Sequence, residues 1–338
     1  MEGKERDYTR YKKSGNTYEP ITETAEVLPN GFYKPVYDAY NDRIYTVRKE
    51  IVMPKLYVLP NEIQVGILDD IKKFWESEDR YRKFGQVYKR NILLYSLPGN
   101  GKTSLINILC NILINDYNGI VFCIDDVRDL MAYGKTMERV RSIEPTRKVI
   151  TIIEDFEHFA EDKETSALLL QTLDGNAQFD NVVTIATTNY PEVLEKRFTC
   201  RPSRFNLVIE YKKPSDEIRK AFIESKLADG GIDINDENVK QDIERYVKKT
   251  EGYTFDFLKE AIQGIYVDGF SEVEIFERLN KLKETDGKVK ITEDKNSKIG
   301  FNYGVLHPLG EDCDAIEKPK PIPLRSNKIK IGFTKGDD

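Results

Sequence analysis

Apolar residues fall into near-continuous short runs along the chain, with helically spaced apolar residues after the first of them. The short runs are residues 91–95, 149–153 and 181–186, and the last two are rich in β-branched side chains. A parallel strand that is buried on both faces has such a near-continuous apolar sequence. Residues 103–113 instead carry apolar side chains at the spacing of a packed helix. The pattern predicts an α/β fold in which buried strands alternate with helices.

The loop between the first predicted strand and the helix, residues 96–103, has the sequence SLPGNGKT. A strand, a glycine-containing loop ending in Gly-Lys-Thr and a helix form a phosphate-binding loop (P-loop), whose backbone N–H groups face a phosphate. Lys102 would reach the β- and γ-phosphates, and the Thr103 hydroxyl would ligate Mg²⁺. Ser96 stands where the first glycine is expected, and serine costs little there if its φ is negative. The predicted nucleotide-binding residues are Pro98, Gly99, Asn100, Gly101, Lys102, Thr103 and Ser104.

Two acidic residues, Glu154 and Asp155, directly follow the predicted strand 149–153. Ligands collect outside the carboxyl ends of parallel strands, so this pair is expected beside the P-loop. One acid would hold Mg²⁺, and the other would polarise the attacking water. The alternative is a strand that ends in a solvated acidic turn, which the position of the pair after Lys102 disfavours.

Three further polar residues follow the next predicted strand. Asn189 comes after residues 181–186, and a neutral amide there can hydrogen-bond both the γ-phosphate and the lytic water. Arg201 and Arg204 come next, after a turn that contains a proline. Two arginines at this spacing are either structural surface charges or groups that stabilise the charge on a transferring phosphoryl group.

The order of these motifs resembles that of AAA ATPases, more narrowly the group containing the mitochondrial ATPase that translocates the folded Rieske protein. The resemblance spans about residues 60–285 and rests on residues 90–103, 152–155, 186–191 and 201–205, with an acidic pair that runs Glu-Asp. It implies that Lys102 and Thr103 bind phosphate and Mg²⁺, Glu154 holds Mg²⁺, Asp155 activates water and Asn189 senses the γ-phosphate. It implies that Arg201 and Arg204 reach the ATP of a neighbouring subunit. Two departures are Ser96 and a stretch before Arg201 that is one residue longer than usual.

The resemblance and the pattern together predict four regions. Residues 1–60 form a small β-rich N-terminal region with strands near 32–37 and 44–47. Residues 61–213 form the ATPase core, a five-stranded parallel sheet with strands near 91–95, 120–125, 149–153, 182–187 and 206–211. Residues 214–285 form a helical lid, with helices after Ser215, near Thr254 and from Ser271, where Glu274 completes a capping box. Residues 286–338 form a partly extended basic tail in which the sequence KIGF occurs at 298–301 and 330–333.

Composition narrows the setting of the protein. The 338 residues are 39% apolar, and no run approaches the ~20 apolar residues of a membrane helix. A charged N-terminus without an apolar segment argues against a signal peptide. The cysteines, Cys110, Cys123, Cys200 and Cys313, are scattered and argue against a zinc site. We therefore expect a reducing cytoplasm, or that of a host if the protein is viral, and no contact with a membrane.

These observations predict a Mg²⁺-dependent ATPase that forms a hexameric or heptameric ring and remodels or translocates an unknown protein partner. A nucleic-acid motor or clamp-loader-like ATPase is an alternative, but the net charge of −6 counts against it. A slow-turnover, nucleotide-gated scaffold is another, because Ser96 alters the P-loop. Tyr133 is either a pore residue that grips polypeptide or an ordinary buried or exposed tyrosine. We interpret His158 as a surface or hydrogen-bonded histidine rather than a catalytic base.

Overall fold

A computed structural model describes residues 10–14, 17–21, 25–174, 179–194, 198 and 201–286. In this part of the chain a seven-stranded sheet has the order β4-β3-β6-β7-β8-β5-β9. Its strands are β3 (Gly31–Asp38), β4 (Arg43–Lys49), β5 (Lys89–Tyr95), β6 (Ile120–Ile124), β7 (Val149–Ile153), β8 (Val182–Thr188) and β9 (Leu207–Glu210). A separate antiparallel hairpin is formed by β1 (Arg10–Ser14) and β2 (Thr17–Ile21).

The five strands predicted for the core are all present and pair in parallel. β8 lies between β5 and β7, with Tyr95 opposite Thr188 and Ile153 opposite Ala186. The carboxyl ends of β5, β8 and β7 are therefore neighbours at one edge of the sheet. Because the P-loop, Asn189 and the acidic pair follow these ends, the topology brings the three motifs together.

The predicted N-terminal strands extend this sheet. β3 pairs in parallel with β6, and β4 pairs antiparallel with β3, so the sheet has seven strands rather than five. Phe32 packs into the core on one face of the sheet, and Tyr33 packs into the core on the other. β6 would otherwise leave an open, apolar edge, and the β3–β4 hairpin covers it. The boundaries of the four predicted regions stay predictions.

Helices cover both faces of the sheet. On one face lie α1 (Glu62–Trp75), α2 (Glu78–Lys83) and α3 (Lys102–Asp116); on the other lie α4 (Val127–Ile143), α5 (Glu157–Ala160) and α6 (Lys163–Asp174). Successive side chains of β5 alternate between the two cores, so that Ile92 and Leu94 face α1 and α3 while Leu93 faces the opposite side. A 3₁₀ turn, Pro191–Val193, follows β8.

Four helices of the described chain lie in the region predicted to form the lid, and we call these four helices the lid. They are α7 (Asp216–Asp229), α8 (Glu237–Lys249), α9 (Phe255–Tyr266) and α10 (Glu272–Asp286). The capping box at Ser271 and Glu274 is confirmed, since each side chain bonds the other residue's backbone N–H. α8 was missing from the sequence prediction, although Asp236 caps it and Ile243, Tyr246 and Val247 pack into the lid core.

Several predicted features lie outside the described residues. They are the tail from residue 287 onward with both KIGF segments, together with Cys200 and Cys313. Within the described ranges, every helix is too short or too polar to cross a lipid bilayer.

Candidate functional site

The P-loop connects β5 to α3 and places its two glycines where glycine is required. Gly99 has φ +77° and Gly101 has φ +89°, both in the left-handed region that favours glycine. Ser96 is not among the residues with positive φ. The condition under which serine is tolerated at this position is therefore met. Pro98, Thr103 and Ser104 are exposed around the loop.

Asn100 lies differently from the other predicted nucleotide-binding residues. It is 2% exposed, and its amide nitrogen donates to the carbonyl oxygen of Tyr211, 3.5 Å away, just beyond β9. Its side chain thus anchors the loop to the neighbouring strand and turns away from solvent. Only the backbone of Asn100 remains available to a phosphate.

The Lys102 ammonium lies at the centre of the site. Its Nζ donates to the carbonyl oxygen of Ser96 at 3.2 Å, to Ser96 Oγ at 2.9 Å and to Asn189 Oδ1 at 2.6 Å. Burial lowers the pKa of Lys102, while the negative charges of Asp155, Glu157 and Glu154 oppose this shift, in that order. The structure therefore joins the P-loop lysine directly to the predicted γ-phosphate sensor.

Thr103 and Glu154 supply the oxygen donors that Mg²⁺ prefers. Thr103 Oγ1 donates to Glu154 Oε1 at 3.2 Å, so a hydroxyl from α3 and the carboxylate that follows β7 lie side by side. In the described ranges no group of three or more His, Cys, Asp or Glu side chains is arranged to hold a metal. Hard oxygen donors in this number fit Mg²⁺, which usually takes one or two carboxylates and completes its shell with water and phosphate oxygens.

Asp155 and Asn189 form the third part of the site. Asn189 Nδ2 lies 3.5 Å from Asp155 Oδ1, and Asp155 has a φ of +48°, which is unusual for a non-glycine residue. A backbone hydrogen bond of 2.8 Å from the Phe156 N–H to the Thr187 carbonyl ties the ends of β7 and β8 together. This turn holds the Asp155 carboxylate beside the sensor amide.

Glu157 is a further acid that the sequence analysis missed. It is 5% exposed, and its Oε2 has no hydrogen-bond partner within the described residues. Its charge acts on Lys102 more strongly than that of Glu154 does. The sequence does show a third acid two positions after the Glu154–Asp155 pair. An exposed acid on the surface of a helix would look the same in the sequence, so this position alone does not indicate a buried carboxylate.

The two candidate arginines have different surroundings. Arg201 is exposed. Arg204 is 7% exposed, and its Nε donates to Asp174 Oδ2 at 2.9 Å within the same chain. The sequence analysis could not separate the two residues, whereas the structure engages Arg204 internally and leaves Arg201 at the surface.

Tyr133 is buried rather than exposed in a pore loop. It is 2% exposed, and its hydroxyl forms a hydrogen bond of 2.6 Å with Thr151 Oγ1 in β7. The buried alternative was therefore correct, and Tyr133 is a core residue between α4 and the sheet. His158 is exposed on α5, as interpreted from the sequence.

The lid meets the P-loop at the start of α9. The Asp256 N–H donates to the Gly99 carbonyl at 3.2 Å. A Cβ at Gly99 would lie 2.8 Å from Asp256 Oδ2 and 2.9 Å from Thr254 Oγ1, and one at Gly101 would lie 3.2 Å from the Phe255 ring. The sequence analysis predicted a helix near Thr254 but did not identify Phe255 and Asp256, which lie against the P-loop.

Comparison with known proteins agrees with this geometry. Residues 92–213 match the family described as "ATPase family associated with various cellular activities (AAA)". The chain contains an AAA ATPase domain. The match covers the P-loop, the acidic pair, Asn189 and both arginines, and it confirms the resemblance stated from the motifs.

Several curated proteins are similar to this AAA chain. "Protein HYPER-SENSITIVITY-RELATED 4" of Arabidopsis thaliana is 26% identical over 297 residues, 78% of this chain and 49% of that protein. "Probable mitochondrial chaperone BCS1-A" of Dictyostelium discoideum is 29% identical over 169 residues, 45% of this chain and 38% of that protein. "ATP-dependent zinc metalloprotease FtsH" of Marinobacter nauticus is 27% identical over 173 residues, 46% of this chain and 26% of that protein. The chain thus spans half or less of the length of these relatives.

Proposed function

We propose that this AAA protein is a Mg²⁺-dependent ATPase. The observation that carries the proposal is the convergence of an ammonium, a hydroxyl–carboxylate pair and an amide–carboxylate pair at the ends of three adjacent strands. Phosphoryl transfer requires positioning and charge neutralisation more than covalent chemistry from the protein. Lys102 would hold the β- and γ-phosphates, Asp155 would orient the water, and Asn189 would sense the γ-phosphate. Mg²⁺, held through Thr103 and Glu154, would neutralise charge on the phosphates.

Replacing Lys102 tests this proposal. We expect Lys102→Ala to lower ATP turnover by on the order of 100-fold or more, because it removes a positive charge aimed at the reacting phosphates. Turnover and the binding of a fluorescent ATP analogue should be measured beside Lys72→Ala, which removes an exposed lysine of α1. Equal activity in the two variants would refute the assigned site.

We further propose that the protein assembles into a ring, a hexamer or heptamer, that acts on a protein partner. Arg201 supports this assembly, since an arginine exposed at the surface can stabilise phosphoryl transfer in a neighbouring subunit. Arg204 is a weaker candidate for this role because Asp174 already engages it. The chaperone and protease named among the relatives support a protein as the partner.

Mixed assemblies test whether the site is shared between subunits. Arg201→Ala subunits keep their own nucleotide site, and Asp155→Asn subunits keep their arginine. A mixture should therefore recover part of the activity that each variant lacks alone, because an arginine supplied in trans contributes about 10³-fold or more. Light scattering must confirm assembly, and an assembled but inactive mixture would argue against Arg201 acting in trans.

A further inference from the structure

Lys102 has no free hydrogen-bond donor in this structure. An ammonium group has three N–H donors. Two of them reach Ser96, at its carbonyl oxygen (3.2 Å) and its Oγ (2.9 Å), and the third reaches Asn189 Oδ1 (2.6 Å). A phosphate that binds Lys102 must therefore take at least one donor from an acceptor that the protein already supplies.

Ser96 provides the acceptor that a P-loop with glycine at this position lacks. The Ser96 hydroxyl donates its own proton to the Leu97 carbonyl at 2.8 Å, which leaves an Oγ lone pair facing Lys102 Nζ. The side chain is 7% exposed, so water competes poorly for either bond. Because φ is not positive at Ser96, alanine or glycine can replace it without the backbone strain that a substitution of Gly99 would cause.

Asn189 is bound in the same arrangement. Its carbonyl oxygen accepts from Lys102, and its amide nitrogen lies 3.5 Å from Asp155 Oδ1. The sensor amide is thus turned toward the P-loop lysine and the acid expected to orient water. Movement of Lys102 toward a phosphate would release Asn189 at the same time.

We propose that Ser96 is a positioning residue that holds Lys102 back against the end of β5 and so weakens the binding of ATP. This inference rests on the proposed ATPase function and deepens it. ATP takes Lys102 from the Ser96 hydroxyl and from Asn189 together, so that phosphate binding and the release of the sensor amide occur as one event. The hydroxyl acts on the state without nucleotide, and its removal therefore changes nucleotide affinity more than it changes the rate of the bound complex.

The test removes the hydroxyl in two ways in the whole 338-residue chain. Ser96→Ala keeps the Cβ, and Ser96→Gly restores the residue expected in the P-loop pattern; Ser142→Ala removes an exposed hydroxyl of α4 as a matched control. The affinity for ATP is measured by displacement of a fluorescent analogue, and KM and kcat are measured by phosphate release. AMP, which lacks the phosphates that Lys102 reaches, serves as the ligand control.

We expect Ser96→Ala and Ser96→Gly to bind ATP about tenfold more tightly, the value of one hydrogen bond to a charged group, with KM changing more than kcat. Binding of AMP and the properties of Ser142→Ala should stay as in the wild type. Unchanged or weaker ATP binding in both Ser96 variants, while the wild type binds and hydrolyses ATP, would overturn this inference alone. A wild-type protein that does not bind ATP would overturn the proposed function as well.

Discussion

Lys102 and Asn189 are 87 positions apart in the chain, and yet a hydrogen bond of 2.6 Å joins them. The residue types were predictable, because a P-loop requires a lysine before the hydroxyl residue and a strand end can present an amide. Their direct contact was not, since it depends on β8 lying beside β5. Arg201 and Arg204 show the same limit of sequence-based prediction. Both arginines fit the same motif, and only the structure shows that Arg204 is bonded to Asp174.

At the residue scale, we predict that Gly99→Ala damages both the loop and its contact with the lid. The alanine would be held at φ +77°, and its Cβ would lie 2.8 Å from Asp256 Oδ2. A non-glycine residue held in this region costs about 1–3 kcal/mol, and the approach to Asp256 adds to it. The free energy of unfolding, measured in urea, should fall by at least this amount, and nucleotide affinity should weaken.

Gly134→Ala is the matched control for that prediction. Gly134 lies within α4, and its Cβ would meet nothing within 4 Å. Alanine should stabilise this helix by about 0.5–1 kcal/mol. If the two variants had the same stability, the close packing of α9 on the P-loop would be in doubt.

At the scale of elements, one carboxylate connects two helices of the lid. Glu272, at the start of α10, accepts from Arg245 Nε and Lys249 Nζ, each at 3.1 Å, and from the Tyr246 hydroxyl at 3.1 Å, all three on α8. These hydrogen bonds, foremost that from Arg245, lower the pKa of Glu272 to about 2. α8, the lid helix that the sequence analysis did not predict, is therefore held by charge as well as by its apolar side.

We predict that the stabilising effect of Glu272 depends on pH. Because its folded-state pKa lies below the unfolded value of 4.5, the stabilisation is fully present above about pH 4.5 and is lost as the pH falls toward 2. Glu272→Gln should therefore be less stable than the wild type at pH 7, and the difference should shrink below pH 4.5. Denaturation is measured across this range beside Glu277→Gln, an exposed residue of the same helix. A difference that stays constant with pH would show that the carboxylate is not responsible.

At the scale of the whole molecule, the β3–β4 hairpin is part of the sheet that carries the site. β3 lies directly beside β6, and its residues enter the cores on both faces. The strands themselves were predicted from their apolar and aromatic residues. Their attachment was not, because any strand with a free edge could have paired with them.

We predict that Phe32→Ala destabilises the ATPase core itself. Phe32 is 7% exposed and packs with residues of α1, α3 and the central strands. Removing a buried phenylalanine ring costs about 3–5 kcal/mol, and the loss should appear in a single unfolding transition. Tyr40→Ala, at a position that is 96% exposed, should change little. Two separate transitions, of which only the first shifts, would indicate that the hairpin folds independently.

Local sequence sufficed for the strands of the seven-stranded sheet, for the helices α3, α7, α9 and α10, and for the chemistry of each strand end, because periodicity and turn residues act over a few neighbouring positions. Lys102, Glu154, Asp155 and Asn189 were assigned to one site because ligands collect at the carboxyl ends of parallel strands and because the order of the motifs resembles that of AAA ATPases. Long-range packing was needed to bury Tyr133, to engage Arg204, to attach the hairpin and to bring Asp256 against Gly99. These outcomes depend on which distant surfaces exclude water together, and no short segment of the chain carries that information.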